Sequence, residues 1–309
     1  MRKIVITPRG FFNYGKAYIK ELEDKGFIVD ANGTGKAYTV EQFYEHCKDA
    51  DALVVGVEQV NKAFIDACPK LKAVVKFGVG TDNIDIPYCQ EKGIYVGRCV
   101  GSNSRAVAEL AVAFIMAEMR DLYLSLSETK AGAWNKYTGR EVLGKTVGII
   151  GFGAIGKHLA RMANGLGMNV LVFDAFPVSE ETAAEHHVTV SDLETIYTTC
   201  DFISVHVPLT PETTNMIAEA ELAKMKPNCV LINTARGGIV SEKDLYPVLR
   251  DKKIRAAYFD VFTTEPPKAD EPLMTLPNFH LTPHIGSRTS EAELNTCRIA
   301  TEQILNVLV

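Results

Sequence analysis

A glycine-rich turn between an apolar run and a helical run is the feature that most restricts the fold of this chain. In "TVGIIGFGAIGKHLA", Gly151, Gly153 and Gly156 have the spacing GxGxxG. In such a turn the first glycine permits a tight bend, and the second lets backbone amides approach a pyrophosphate. The third lets the helix pack against the strand. The flanking runs have the required strand and helix character, so the pattern predicts a dinucleotide-binding βαβ unit.

An acidic residue ends the next apolar run and indicates which dinucleotide would bind. "NVLVFD" ends in Asp174, and no Lys or Arg follows in "DAFPVSE". A carboxylate there accepts hydrogen bonds from ribose hydroxyls and repels a 2′-phosphate, which favours NAD over NADP. The alternative is a structural Rossmann-like fold whose glycine loop binds nothing.

Strand-like and helical runs alternate along almost the whole chain, which predicts an α/β protein with parallel sheets. A first series contains "KIVIT", "ALVVG" and "AVVKF". A second contains about six strands, the number in a complete dinucleotide-binding sheet. Between them, a long helix is predicted from about Ser102 to Glu128; its apolar face is too wide for a surface helix. The final run, "SEAELNTCRIATEQILNVLV", predicts an amphipathic helix.

Composition and charge exclude several classes of function. The 309 residues are 47% hydrophobic and 23% charged, with a net charge of −5, so no basic surface suggests nucleic acid or an anionic membrane as a partner. No apolar run reaches the ~20 residues of a membrane span; the nearest carries Glu109 and Glu118. The first residues read as a strand and not as a signal peptide.

The cysteines favour a reducing, cytoplasmic location. There are seven, an odd number, at wide spacings and without a CxxC motif. This pattern predicts reduced, buried thiols. No Cys/His cluster has the spacing of metal ligands, so no metal site is predicted.

Polar residues that directly follow apolar runs are the candidate catalytic groups, because ligands bind outside the carboxyl ends of parallel strands. Arg236 follows "CVLINTA", Asp260 and Glu265 follow "IRAAYF", and His284 follows "FHLTP". Hydride transfer to a 2-oxo acid needs a cation for the carboxylate and carbonyl, and an acid for the forming alkoxide. Arg236 suits the first role and His284 the second. Glu265 would orient the His284 ring and favour its charged form.

Each of these residues also has a purely structural interpretation. Arginines in glycine-rich turns are usually solvated, and "EPP" after Thr264 is compatible with a plain loop. The functional interpretation therefore depends on the residues as a set at successive strand ends. His206 in "SVHVPLT" also ends a strand, and we interpret it as structural, holding a loop through hydrogen bonds.

Seven motifs together resemble one known family. "KFGVGTDNID", "NSRAVAEL", "VGIIGFGAIG", "VHVPLTPETTNMI", "LINTARGGIVSEKDL", "DVFTTEPP" and "TPHIGSRT" occur in the order and spacing of the D-isomer-specific 2-hydroxyacid dehydrogenases, especially those resembling phosphoglycerate dehydrogenase. The resemblance covers essentially the whole chain. It implies a Rossmann NAD-binding domain at residues 101–284. It also implies a discontinuous, flavodoxin-like substrate domain at residues 1–100 plus 285–309, and a homodimer through the nucleotide domain.

The resemblance also implies roles for individual residues. Arg236, Glu265 and His284 would be catalytic, with Arg236 and His284 also contacting the substrate. Backbone groups of Val79 and Gly80 would receive the substrate carboxylate, and Asp260 would hold the nicotinamide carboxamide. The implied cofactor contacts, with the glycine loop, are Val79, Gly151, Gly153, Ile155, Gly156, Asp174, Val207, Thr234, Asp260 and Ser287.

One stretch departs from the phosphoglycerate dehydrogenases. They usually carry an arginine after the third strand that helps to bind the substrate phosphate, but "VVGVEQVNKAF" has Glu58 and Gln59 there. Lys136, after Trp134, is a weak substitute supplied by a neighbouring subunit. The expected substrate is therefore a small 2-hydroxy or 2-oxo acid, with 3-phosphoglycerate left open.

Two other functions of the same fold remain as alternatives. A formate or phosphite dehydrogenase is one, although the formate type usually has glutamine at the position of Glu265. An NAD(H)-sensing corepressor is the other. It can carry the same three residues, so the motifs do not exclude it, although its usual extended tails are not seen in the sequence.

Overall fold

A computed structural model describes all 309 residues and divides them into two compact units. The smaller unit contains Met1–Asn103 and Ser287–Val309, and the larger contains Ser104–Gly286. The sequence placed the divisions after residues 100 and 284, and in the structure they fall after Asn103 and Gly286. The chain thus leaves the smaller unit once and returns to it for its last helix.

The smaller unit is a five-stranded parallel sheet with helices on both faces. Its strand order is β2-β1-β3-β4-β5, the order of flavodoxin-like folds. The strands are β1 Lys3–Ile6, β2 Ile28–Ala31, β3 Ala52–Val55, β4 Ala73–Lys76 and β5 Tyr95–Arg98. The helices are α1 Arg9–Tyr14, α2 Lys16–Asp24, α3 Val40–Cys47, α4 Lys62–Ala67, α5 Ile86–Glu91 and α13 Ser290–Leu308.

Burial on both faces explains why the central strands of this unit are continuously apolar. All four residues of β3 are buried, and the first three of β4 are also buried. Strands covered on both sides need no polar alternation. One core contains Phe43, Phe64 and Val74, and the core on the other face contains Ile4, Phe11 and Ile304. The amphipathic final helix predicted from the sequence is α13, and it forms part of the second core.

The larger unit is a seven-stranded parallel sheet with the Rossmann strand order. The order is β12-β11-β10-β9-β6-β7-β8. Its strands are β6 Thr146–Ile150, β7 Asn169–Phe173, β8 Thr189–Val190, β9 Phe202–Val205, β10 Val230–Asn233, β11 Ala256–Phe259 and β12 Phe279–Leu281. Its helices are α6 Ser104–Met119, α7 Leu122–Lys130, α8 Ala154–Gly165, α9 Glu180–Glu185, α10 Leu193–Thr199, α11 Glu219–Leu222, α12 Glu242–Arg250 and a 3₁₀ turn at Pro272–Thr275.

The two α/β architectures confirm the predicted fold class, and the order of the larger sheet locates a binding site. Strand β6 pairs with β7 on one side and β9 on the other, so the chain reverses its direction of progress across the sheet at β6. In open parallel sheets, ligands bind at the carboxyl edge beside such a switch point. The two-residue strand β8 was not among the six strands predicted from the sequence.

The single long helix predicted from Ser102 to Glu128 is wrong in one respect. The structure has two helices, α6 and α7, separated at Arg120 and Asp121. Asp121 has φ 45°, a left-handed conformation that ends a helix, and its carboxylate accepts a 3.2 Å hydrogen bond from Arg255. That contact comes from far along the chain, so the local sequence gave no sign of the break. Helix α6 is extensively buried as expected, whereas no residue of α7 is buried.

Candidate active site

The glycine loop between β6 and α8 is tightly packed at two of its glycines and open at the third. Gly151 has φ +100°, and a Cβ there would lie 2.7 Å from the carbonyl carbon of His206. A Cβ at Gly156 would lie 2.4 Å from the carbonyl oxygen of Gly151. Around Gly153, by contrast, no atom lies within 4 Å of the added Cβ. At Gly153 no side chain covers the backbone of the loop. Helix α8 begins directly after this residue, and the first amides of the helix lack intrahelical hydrogen-bond partners.

Asp174 follows β7 and stands beside this loop. Its Oδ2 accepts a 2.7 Å hydrogen bond from the amide of Phe152, and its Oδ1 accepts a 2.9 Å hydrogen bond from the amide of Phe176. Two backbone donors thus fix the carboxylate, which keeps further lone pairs for ribose hydroxyls. The open loop and the fixed acid fit a dinucleotide. The loop amides would hold its pyrophosphate, and Asp174 would hold its ribose.

The neighbouring strand ends carry two buried polar atoms without partners. Thr234 follows β10, is 7% exposed, and its Oγ1 makes no hydrogen bond within the protein. His206 follows β9, and its Nε2 lies 2.8 Å from the Oγ of Ser204, while its Nδ1 has no partner. Desolvation lowers the pKa of His206 to about 4, so the ring is neutral near pH 7. This hydrogen bond joins His206 to a residue of its own strand and not to the loop, so the loop-holding role of His206 stays a prediction.

Arg236 lies in a turn that is held to the end of β10. The Asn233 side chain donates a 2.8 Å hydrogen bond to the Arg236 carbonyl and accepts a 3.0 Å hydrogen bond from the Ala235 amide. The Arg236 guanidinium donates a 2.7 Å hydrogen bond to the Ala235 carbonyl. A Cβ at Gly237 would lie 2.0 Å from the carbonyl carbon of Phe262, so this turn packs directly on the segment after β11.

Glu265 and His284 form the pair that the sequence predicted. The Nδ1 of His284 lies 2.8 Å from Oε2 of Glu265, and Oε1 of Glu265 accepts a 3.0 Å hydrogen bond from the Phe262 amide. Burial opposes ionisation of Glu265. The hydrogen bonds from His284 and Phe262, with the charges of His284 and Arg236, outweigh it and lower the pKa of Glu265. The carboxylate is therefore ionised and fixes the tautomer and orientation of the ring.

The backbone of His284 is unusual and presents the ring to solvent. Its φ is 54°, in the left-handed region, which is uncommon for residues other than glycine, although His, like Asn and Asp, adopts it more often than most. Such conformations cluster at functional sites. The side chain is 48% exposed, and Nδ1 is occupied by Glu265. The second ring nitrogen, Nε2, is therefore available to an incoming molecule.

Asp260 maintains the segment that carries His284. It is 2% exposed, and its carboxylate accepts hydrogen bonds from the Thr282 hydroxyl at 2.5 Å, the Ile285 amide at 2.8 Å and the Gly286 amide at 2.7 Å. These three bonds flank His284 on both sides and stabilise its turn. The sequence did not indicate this role for Asp260, and the contact with a nicotinamide carboxamide stays a prediction.

In the smaller unit, the turn after β4 offers unpaired backbone donors. Gly78 has φ +142°, and its carbonyl accepts a 2.8 Å hydrogen bond from the Cys99 amide. The amides of Val79 and Gly80 donate to no group in the protein. Adjacent free amides of this kind suit a carboxylate, which is the role that the resemblance implies for these two residues.

Lys76 is a polar strand-end residue that the sequence reasoning missed. Its ammonium donates to the Gly56 carbonyl at 2.5 Å and to Oδ1 of Asn83 at 2.6 Å, close to the turn at Gly78. Glu58 folds back so that Oε2 accepts a 2.9 Å hydrogen bond from the Gly56 amide. The rule that found Arg236 and His284 also applies to Lys76, because it is the last residue of an apolar strand.

Three further observations concern the cysteines, possible metal ligands and the lengths of the helices. All seven cysteines are free and buried. No group of three or more His, Cys, Asp or Glu side chains could hold a metal ion. No helix is both long enough and apolar enough to cross a lipid bilayer.

Comparison with known proteins decides the family. Residues 112–286 match the family described as "D-isomer specific 2-hydroxyacid dehydrogenase, NAD binding domain". The chain is also 37% identical over 312 residues to a glyoxylate reductase of Korarchaeum cryptofilum, covering 99% of this chain and 92% of that protein. The chain belongs to the D-isomer-specific 2-hydroxyacid dehydrogenases.

Other proteins that are similar to this chain differ in their length and in the substrate in their names. A D-3-phosphoglycerate dehydrogenase of Methanocaldococcus jannaschii is 41% identical over 293 residues, covering 94% of this chain and 55% of that protein. The chain spans about half the length of the phosphoglycerate dehydrogenases that it matches. The apo-structure of D-lactate dehydrogenase from Escherichia coli superposes with a TM-score of 0.85 at 27% identity, over 99% of this chain and 96% of that one.

Family membership fixes the cofactor class. Nearly all of the larger unit lies within the matched NAD-binding domain, and the glycine loop and Asp174 lie in it too. NAD is therefore the cofactor for which this family's domain is built. Relatives named for phosphoglycerate, glyoxylate, hydroxypyruvate and lactate share the fold, so membership does not by itself decide the substrate.

Proposed function

We propose that the chain is an NAD-dependent D-2-hydroxyacid dehydrogenase that interconverts a short 2-oxo acid and its 2-hydroxy acid. The observation that carries this proposal is the Glu265–His284 pair, with the charge of Arg236 acting on Glu265, at strand ends of the NAD-binding unit. In reduction, one hydride and one proton are added to the carbonyl of the acid. The bound cofactor supplies the hydride, and the residues described above handle the carboxylate and the proton.

The residues act on the substrate as follows. The Arg236 guanidinium binds the substrate carboxylate and the carbonyl oxygen, and the amides of Val79 and Gly80 also bind the carboxylate. The protonated Nε2 of His284 donates to the forming alkoxide in reduction, and the neutral ring removes the hydroxyl proton in oxidation. Glu265 holds Nδ1 and stabilises the charged ring, while Asp260 keeps His284 in its left-handed turn.

The chain's own residues would hold the cofactor along the carboxyl edge of the larger sheet. Asp174 would accept hydrogen bonds from the ribose hydroxyls, and the buried Oγ1 of Thr234 would gain the partner that it lacks. In the larger unit the proposed set is Gly151, Gly153, Ile155, Gly156, Asp174, Val207, Thr234 and Asp260. The resemblance adds Val79 and Ser287, which belong to the smaller unit.

We expect NADH to be preferred to NADPH because of Asp174. The measurement is kcat/KM with each cofactor. Asp174→Ala should lower the ratio of kcat/KM with NADH to kcat/KM with NADPH by about tenfold. The variant lacks the single negative charge that would repel the 2′-phosphate of NADPH. Glu180→Ala, which removes an exposed acid from α9, serves as the control and should leave the ratio unchanged. A wild-type preference for NADPH would contradict the assignment.

A homodimer that forms through the larger unit is part of the proposal. Helix α7 has no buried residue and exposes Leu122, Leu124 and Leu126, and Trp134 nearby is 81% exposed. Apolar surface of this extent favours a protein partner over water. Sedimentation equilibrium of the wild type and of Leu126→Glu tests this, with a dimer expected for the first and a monomer for the second. A monomeric wild type would overturn it. The compartment stays a prediction from the reduced cysteines, which suit a cytoplasmic protein.

A screen of NADH oxidation tests the reaction and separates it from the alternatives. Glyoxylate, hydroxypyruvate, pyruvate and 3-phosphohydroxypyruvate are offered with NADH, and formate and phosphite with NAD⁺. We expect reduction of at least one unphosphorylated 2-oxo acid. NADH binding without turnover of any compound would favour a sensing protein. Activity restricted to the phosphorylated acid would contradict the inference from Glu58, and Lys76→Met would then test whether Lys76 binds the phosphate.

A further inference from the structure

Asn233 is the last residue of β10 and is fixed between two neighbouring strands. In the sheet it lies opposite Val205 of β9 and Phe259 of β11, and its carbonyl accepts a 2.9 Å hydrogen bond from the Asp260 amide. The residue is fully buried. A polar side chain at this depth is costly unless its hydrogen-bonding groups have partners, so the partners of the Asn233 side chain indicate its role.

The side-chain amide of Asn233 holds the turn that carries Arg236 at two points. Its Oδ1 accepts a 3.0 Å hydrogen bond from the Ala235 amide, which makes an Asx turn. Its Nδ2 donates a 2.8 Å hydrogen bond to the Arg236 carbonyl. The peptide group that joins Ala235 to Arg236 lies between these two bonds, so one buried side chain fixes the orientation of that peptide group.

The same peptide group binds the guanidinium of Arg236. Its carbonyl, which belongs to Ala235, accepts a 2.7 Å hydrogen bond from a guanidinium nitrogen. Because a guanidinium is planar and its donors point in fixed directions, a bond from one nitrogen to a fixed carbonyl restricts the directions of the other donors. Beyond Arg236, Gly237 packs directly against the carbonyl of Phe262, so the turn is held at both ends.

We propose that Asn233 is a positioning residue that orients the Arg236 guanidinium for the carboxylate and carbonyl oxygen of the acid. Its action is indirect and passes through the peptide group between Ala235 and Arg236. Orientation matters because the guanidinium has to meet two oxygens of the acid at once, and a misplacement of about 1 Å can cost about 10²-fold in rate. This inference rests on the proposed dehydrogenase function and adds a residue to its machinery.

A double-mutant cycle tests whether Asn233 acts through Arg236. Asn233→Ala removes both side-chain hydrogen bonds and should lower kcat/KM for the best acid by about tenfold, which corresponds to about 1.4 kcal/mol. In the Arg236→Ala background the same substitution should cause no further decrease, because no guanidinium remains to be oriented. An effect through Thr234, which is assigned to the cofactor, would instead lower kcat/KM by the same factor in both backgrounds.

Two further variants separate this role from a general loss of hydrogen bonds. Asn278 lies just before β12, at the opposite edge of the same sheet, and its side chain donates to the carbonyls of Leu249 at 3.1 Å and Arg255 at 3.2 Å. Asn278→Ala should therefore lower the Tm and leave kcat/KM unchanged. Asn233→Ser keeps an acceptor for the Ala235 amide but does not reach the Arg236 carbonyl, so its kcat/KM should lie between those of the wild type and Asn233→Ala.

Several outcomes would overturn the inference. An unchanged kcat/KM in folded Asn233→Ala would do so, as would equal decreases in the wild-type and Arg236→Ala backgrounds or an equal decrease in Asn278→Ala. Thermal melting shows whether each variant is folded, and Asn233→Ser takes the place of Asn233→Ala in the cycle if the alanine variant is not. Failure of the proposed function would look different. No 2-oxo acid, glyoxylate included, would then be reduced by the wild type, although NADH binds.

Discussion

Two histidines end strands at the same edge of the larger sheet, and their surroundings differ in every respect that matters for proton transfer. His206 follows β9, its Nδ1 is buried, and its Nε2 lies 2.8 Å from a serine hydroxyl. His284 follows β12, is 48% exposed, and its Nδ1 lies 2.8 Å from a carboxylate. One ring is kept neutral by burial, and the other is oriented by an ionised partner with a nitrogen left for substrate. Position at a strand end alone therefore does not predict a catalytic histidine. We propose that role for His284 because it also has an anionic partner and access to solvent.

The largest expected effect separates the two rings by activity. His284→Gln retains size and a hydrogen-bond donor but cannot transfer a proton, so kcat should fall by about 10²–10⁴. His206→Gln should keep kcat near the wild-type value, because Gln can still hydrogen-bond to Ser204. Steady-state kinetics with the best acid from the screen provide the measurement. Equal decreases of kcat in the two variants would contradict the proposed difference between His284 and His206.

The second expected effect concerns the cation at the neighbouring strand end. Arg236→Ala should lower kcat/KM by about 10²–10³, as expected for removing a donor to developing charge. Binding of NADH, followed by its fluorescence, should change little, because Arg236 is assigned to the acid. Arg236→Lys keeps the charge without the two-pronged geometry and should recover only part of the loss. Normal turnover of the alanine variant would show that the substrate site is misplaced.

Local sequence was sufficient for the residues whose position follows from a strand end. Gly151, Gly156 and Arg236 could be located because parallel strands bring their carboxyl ends to one edge. The predicted fold class is confirmed, and the structure brings Glu265 and His284 together, although their catalytic roles stay predictions. The spacing of apolar residues was sufficient to predict the strands and therefore the positions of these residues at the strand ends.

Contacts between residues that are distant in sequence account for the structural features that local sequence could not predict. Asp121 breaks the long helix with the help of Arg255, and Glu293 is buried because residue 10 has no side chain. Neither the break at Asp121 nor the burial of Glu293 can be predicted from the residues next to it in sequence. Lys76 is different, since its position at the end of β4 follows from the local sequence as directly as the position of Arg236 after β10.

The third expected effect concerns stability and belongs to His206. Its pKa is lowered from 6.5 to about 4 in the folded protein. Below about pH 6.5 the His206 ring is therefore protonated in the unfolded chain but stays neutral in the folded protein. Stability from this residue is complete above pH 6.5 and is lost as pH falls toward 4. The loss should reach about 2 kcal/mol at pH 5, at ~1.4 kcal/mol for each unit. Urea unfolding between pH 7 and 5 measures it.

His206→Gln should flatten this dependence, because glutamine does not titrate. His187→Gln, at an exposed histidine of the same unit, should retain the wild-type slope. If the wild type and His206→Gln lose stability equally between pH 7 and 5, burial of the neutral ring is not the cause. The contrast with His284 would then rest on activity alone.

The smallest expected effect tests whether Glu265 is what distinguishes the two rings. The pKa of Glu265 lies below its ordinary value despite burial, because the carboxylate is stabilised by His284, by the Phe262 amide and by nearby positive charge. The carboxylate is therefore ionised at neutral pH and holds the His284 ring in one orientation.

The rates of reduction and oxidation should both fall as pH decreases through the lowered pKa of Glu265, because protonation removes the negative charge that orients the ring. Glu265→Gln has no carboxylate to protonate. Its kcat should be lower than that of the wild type at neutral pH, and the decrease on the acid side should be absent from its pH–rate profile. Glu242→Gln changes a second carboxylate that accepts hydrogen bonds from the adjacent Thr263 and makes no contact with His284, so its profile should match the wild type. A Glu265→Gln profile that coincides with the wild type in both directions would mean that exposure alone, and not the carboxylate, separates His284 from His206.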